Sequence, residues 1–121
     1  PEKAIPTLQQ AVGAQSDLYL AQYALGVALV QQQQYPAAVE HLHKAIQLQP
    51  DSAWAHYEMG ASLLRTGDFK TAAVHLEIAA TRLPEFAGAH SLLAQAYDRA
   101  GRGADAKRER ARATQLGAAK P

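Results

Sequence analysis

Histidine changes charge near neutral pH and is a common metal ligand. The chain has five: His41, His43, His56, His75 and His90. His41 and His43 are two apart, so on a helix they do not share a face. His41 and His75 are separated by the same interval as His56 and His90. Stacked units of that length would bring such pairs within reach of each other. Two imidazoles still make a thin site, and no Asp or Glu stands where it would complete one. Packing or ordinary surface roles are therefore expected, without metal. Asp98 and Glu109 are candidate acids, but nothing pairs with either at a plausible catalytic site. There is no Cys, which excludes disulfides, thiolate zinc sites and cysteine nucleophiles. A glycine-rich phosphate loop and a His-x-x-x-His metal pair are absent as well. The expectation is a non-enzymatic chain with no catalytic residues and no cofactor.

The remaining chemistry is that of recognition. Tyr23 and Tyr57 are 34 apart, Arg65 and Arg99 likewise, and Trp54 stands beside the second tyrosine. Trp and Tyr give large contact area at low entropic cost and keep a polar handle. Twelve Lys and Arg against eleven Asp and Glu leave a net charge of +1, which argues against a whole-surface nucleic-acid binder. The charges are uneven. Residues 97–121 hold seven basic and three acidic side chains, and the preceding 96 hold five and eight. The basic end lacks interleaved aromatics, so a solvated cap is favoured over a nucleic-acid patch. No run approaches the ~18 apolar residues of a membrane span. The opening residues do not read as a signal peptide.

These residues are positioned by a repeat. Residues 19–52 set on 53–86 without gaps give nine identities, including Gly26/Gly60, Ala38/Ala72, Leu42/Leu76 and Pro50/Pro84. Residues 87–120 match the second copy at seven positions. Each unit reads as two helices, with apolar residues three and four apart. Pro36 suits the first turn of a helix, while Pro50 and Pro84 stop one. Expected helices run from about Asp17 to Gln32, from Pro36 to Pro50, from Trp54 to Arg65 and from Phe69 to Arg82. Two more run from about Phe86 to Ala100 and from the Gly101–Gly103 turn to near Leu116. Gly26 and Gly60 fall inside helices, where Gly costs about 1 kcal/mol against Ala, so a close helix crossing is expected there. Ala4, Leu8 and Ala11 precede Ala38, Leu42 and Ala45 by one full period. Residues 1–14 therefore read as the second helix of an earlier unit, which makes seven helices.

The period and its residues resemble the tetratricopeptide repeat family. The first unit supplies Gln22, Leu25, Gly26, Leu29, Ala38, Leu42, Ala45 and Pro50. The second supplies His56, Met59, Gly60, Leu63, Ala72, Leu76, Ala79 and Pro84. The third supplies His90, Leu93, Ala94, Tyr97, Ala106, Arg110, Ala113 and Ala118. The family's first-helix Trp is absent, Arg110 breaks an apolar position, and no Pro closes the third unit. The resemblance implies an all-α fold: a right-handed superhelical solenoid of stacked helix-turn-helix repeats with a 34-residue period. The expected divisions are 1–16 for the second helix of a truncated preceding repeat, then full repeats at 17–52, 53–86 and 87–121. The last ends in the basic capping helix. The chain reads as a piece of a longer protein.

In that family the first helices line a concave groove. The resemblance implies inward roles for Leu20, Tyr23 and Val27, then Trp54, Tyr57, Ala61 and Arg65, then Gln95 and Arg99. A protein partner's peptide or helix is the expected ligand. The family's grip on a C-terminal carboxylate uses Asn on these positions, and this chain has none. The alternative is a structural or regulatory arm of a larger enzyme such as a glycosyltransferase. Self-association through residues 1–14 is a further expectation, because the Leu8 and Ala11 face lacks a partner helix.

Overall fold

The computed structural model describes residues 8–118. Six helices follow in order: α1 (Leu8–Gln31), α2 (Tyr35–Leu48), α3 (Ala53–Thr66), α4 (Phe69–Arg82), α5 (Ala87–Arg99) and α6 (Gly103–Ala118). No strand occurs among the described residues. The helices pack as pairs, α1 with α2, α3 with α4 and α5 with α6, and the pairs stack through α2 on α3 and α4 on α5. The first helices also touch one another, α1 with α3 and α3 with α5. The result is a helical solenoid with the first helices side by side along one face.

Local chemistry sets these ends. Pro36 occupies the first turn of α2, where its missing N–H leaves no bond unmade. The Ser52 hydroxyl accepts from the Ala55 N–H at 3.2 Å and caps α3. The Asp68 carboxylate does the same for α4 through the Thr71 N–H. The turns inside the three pairs share one conformation. Gln33, Gly67 and Gly101 occupy the same repeat position, with φ of 61°, 91° and 81°, all left-handed. Glycine suits that region, and two of the three positions have it.

The first helix corrects the expectation of seven. A break was expected near residues 14–17, but α1 runs unbroken from Leu8 through Gln31. The later junctions carry Pro50 and Pro84, whereas the matching position here is Ser16, which does not stop a helix. Residues 1–7 of the expected preceding helix lie outside the described residues.

The core repeats with the helices. Leu42 and Leu76 are fully buried, and each fits against a glycine of the facing first helix. A Cβ on Gly26 would stand 2.7 Å from Leu42 Cδ2, and one on Gly60 would stand 2.8 Å from Leu76 Cδ2. Close approach thus explains both mid-helix glycines. In the third pair Ala94 faces that junction and Arg110 takes the leucine's place. Arg110 is exposed and pairs with Asp98. Ala106 is the one fully covered residue among the described side chains of α6, so this helix is a polar cover on the stack.

Candidate groove on the first helices

The expected inner residues of α3 are Trp54, Tyr57, Ala61 and Arg65. Steps of three and four put them in one stripe along the helix. At the turn end of that stripe the three first helices border a groove of about 790 Å³. Val30 comes from α1, Ala61, Leu64 and Arg65 from α3, and Gln95 and Arg99 from α5. Tyr35 and Phe69, at the starts of α2 and α4, complete the wall.

Two arginines dominate its charge. The Arg65 guanidinium lies 5.8 Å from the centre of the Tyr35 ring, and that of Arg99 lies 4.6 Å from the centre of Phe69. Both cations are held by an aromatic face and stay exposed. Neither makes an ion pair among the described residues. Asp98, also on the groove, is already paired with Arg110. Tyr35 and Phe69 were not among the expected site residues. Their signal was present, since they follow the 34-residue period as Arg65 and Arg99 do.

The aromatic half of the expected site sits at the other end of the first helices. Trp54 packs 5.0 Å from Phe86 and 6.1 Å from Tyr57, and Tyr57 packs 5.1 Å from Phe86. Phe86 folds back over Gly88, where a Cβ would stand 2.7 Å from its ring. Phe86 stands at the N-terminus of α5, so these rings join α3 to α5 and part of their area serves packing. Trp54 nevertheless keeps 45 % of its surface open. Tyr23 stacks on Tyr19 at 5.9 Å, while Leu20 is exposed and Val27 half-buried. Burial first, and the Glu58 carboxylate second, push the Tyr23 and Tyr57 phenols above their usual range. Of the nine expected residues, Ala61, Arg65, Gln95 and Arg99 line the groove. Leu20, Tyr23, Val27, Trp54 and Tyr57 lie outside its wall.

The histidines pair differently from the one-repeat echo in the sequence. His41 bonds Gln22 at 2.8 Å, His56 bonds His75 at 2.9 Å, and His90 bonds Glu109 at 2.7 Å. All three bonds have the same separation in sequence, and each clips a first helix to the second helix of its own unit. His56 Nε2 donates to the Pro50 carbonyl, and His90 Nε2 donates to that of Pro84. This leaves His56 Nδ1 to accept from the Nδ1–H of His75. Burial, then the neighbouring His56 and His43, lower the His75 pKa to about 4, with Asp68 opposing. No cluster of three or more metal-binding side chains occurs among the described residues.

Comparison with known proteins agrees with this geometry. A TPR repeat family model matches residues 26–67, and a tetratricopeptide repeat model matches residues 63–118. Comparison with curated protein sequences gives no match. Among solved structures, a MamA segment from Desulfovibrio magneticus RS-1 is 31 % identical with a TM-score of 0.78. That match covers 81 % of this chain and 55 % of the other. A MamA D159K mutant is 25 % identical with a TM-score of 0.80, covering 94 % of this chain and 63 % of the other. The chain thus spans little more than half the length of these relatives. The first TPR of Spaghetti (RPAP3), solved with an HSP90 peptide, shares the fold at 18 % identity and a TM-score of 0.80. It is covered over 83 % of its length, against 87 % of this chain. With two repeat models spanning 26–118 and three stacked helix pairs beneath them, the chain belongs to the tetratricopeptide repeat family of protein–protein interaction modules.

Proposed function

We propose that the groove on the first helices takes a peptide or helix of a protein partner. Acidic side chains of the ligand meet Arg65 and Arg99, and apolar ones lie toward Trp54 and Tyr57. The observation that carries the reading is the arginine pair. Two guanidiniums one repeat apart, each held on a ring and unpaired among the described residues, border one groove. Arginine so placed suits planar carboxylates. From Trp54 to Arg65 is eleven residues of α3, about 16 Å at 1.5 Å per residue, a span a short peptide covers. Self-association through the N-terminal stretch, residues 1–14, remains part of this proposal, and its Leu8 and Ala11 side chains lie outside those described.

Titration of labelled peptides graded from neutral to acidic tests the groove. Acidic peptides should bind more tightly, and added salt should weaken them. Arg65→Ala and Arg99→Ala should each reduce affinity. Trp54→Ala should cost about 2 kcal/mol or more of binding. It should cost less folding stability than Leu63→Ala, which empties part of the core. Unchanged affinity in all three variants would move recognition off this face and favour the structural-arm reading.

A further inference from the structure

The junctions between repeats share one plan and are closed differently. A tyrosine closes the later one. Tyr97 of α5 is buried, and its hydroxyl donates to the Glu77 carboxylate of α4 at 2.5 Å. The Arg102 guanidinium covers the ring, 4.3 Å from its centre. One period earlier the same three positions are Leu63, His43 and Asp68. Leu63 brings neither a ring nor a hydroxyl, and Asp68 is engaged in capping α4 through the Thr71 N–H.

A cavity of about 520 Å³ lies at that earlier junction. Pockets for small ligands run from about 300 to 1,000 Å³. Val39 of α2 with Met59 and Leu63 of α3 form its apolar part, and His43 and His75 bring imidazoles to its wall. At the later junction Leu93 and Tyr97 stand in place of Met59 and Leu63, and the cavity there is walled by residues of α4 alone. His75 gives its Nδ1–H to His56, which leaves its Nε2 a lone-pair acceptor. Neither that nitrogen nor the His43 ring is engaged by another side chain among the described residues.

We propose that the earlier cavity takes the tyrosine side chain of a protein partner, its ring on Met59 and Leu63 and its hydroxyl at His43. The third repeat displays this contact with a ring of its own, since Glu77, which meets the Tyr97 hydroxyl, holds the register of His43. The chain receives from outside at one junction what it carries itself at the next. A phenol matches both parts of the cavity, an apolar body for the floor and a polar tip for the wall. Neutral imidazole has one donor and one acceptor nitrogen, so His43 satisfies the hydroxyl either way. Glu40, Lys44 and Gln47 at the rim are exposed, which leaves the mouth open to a peptide backbone. This cavity shares no residue with the groove that holds Arg65 and Arg99, so the two sites are tested separately.

Titration with p-cresol, the tyrosine side chain without its backbone, reads the site through the methyl NMR signals of Met59 and Leu63. Both signals should shift. Toluene, which lacks the hydroxyl, should bind about threefold to tenfold more weakly. A short blocked peptide with a central tyrosine should shift the same signals, and its phenylalanine counterpart should do so more weakly. His43→Ala changes an exposed side chain and should abolish the preference for the hydroxyl. Leu63→Tyr should fill the cavity with the chain's own ring and silence the Met59 response, with the fold checked by circular dichroism. The His43 variant serves if the Leu63 variant misfolds. Arg65→Ala should leave every titration unchanged. Methyl signals that ignore p-cresol overturn the proposal, as does toluene binding equal to p-cresol or a preference for the hydroxyl that survives His43→Ala. A response to p-cresol but not to the tyrosine peptide makes this a site for free phenols and overturns the protein partner.

Discussion

At the scale of residues, the same two positions are filled three ways. Gln22 with His41, His56 with His75, and His90 with Glu109 each join a helix pair, but only the middle bond is imidazole to imidazole. His56 gives its Nε2–H to a carbonyl and accepts from the Nδ1–H of His75, whose charged form is disfavoured first by burial. The folded pKa of His75 is lowered to about 4, below the unfolded value of about 6.5. The native state thus binds fewer protons than the unfolded one between those values. Stability is full above pH 6.5 and falls as the pH drops toward 4. The ring is half open to solvent, so the loss should be on the order of 1–2 kcal/mol. His75→Gln, which keeps a hydrogen-bonding side chain there, should flatten urea midpoints measured across pH 4–7. A slope equal to the parent's would contradict this account. The sequence showed five histidines and their one-repeat echo, but not these bonds. Contacts between the two helices of a unit depend on how they cross, which periodicity along one helix does not specify.

At the scale of elements, α4 and α6 hold the same place in successive repeats and differ in what they bury. Leu76 is fully covered against Gly60, while Arg110 sits exposed in a surface ion pair. Leu76→Ala should therefore cost about 2–5 kcal/mol. Arg110→Ala should cost less than about 1 kcal/mol. Denaturant unfolding of the two variants compares them directly, and near-equal losses would undo the distinction. Most helix ends were legible before the fold, because Pro36, Ser52, Asp68 and Gly67 act locally on the backbone. The start of α1 was not. Repeat logic placed a junction near Ser16, but a junction needs a residue that stops a helix, and serine continued it. The arginine half of the candidate site was legible from its period. Tyr35 and Phe69 follow the same period, but that these rings reach the groove from the second helices shows only once each pair has folded.

At the scale of the whole molecule, three copies of one unit let each position be judged against its counterparts. The solenoid was legible because a 34-residue period without gaps admits few other ways to bury two faces per unit. The same comparison gives a lever on its heat tolerance. All three turns adopt the left-handed conformation, yet the first sets glutamine where the others have glycine. A side chain there costs about 1–2 kcal/mol of backbone strain, partly offset by the freedom a glycine adds to the unfolded chain. Gln33→Gly should raise the melting temperature by about 2–5 °C, as scanning calorimetry would show, and an unchanged or lower value would contradict the strain. A chain with glycine in all three turns should be sturdier than this one. Laboratory selection for survival at higher temperature should therefore place glycine at the first turn early.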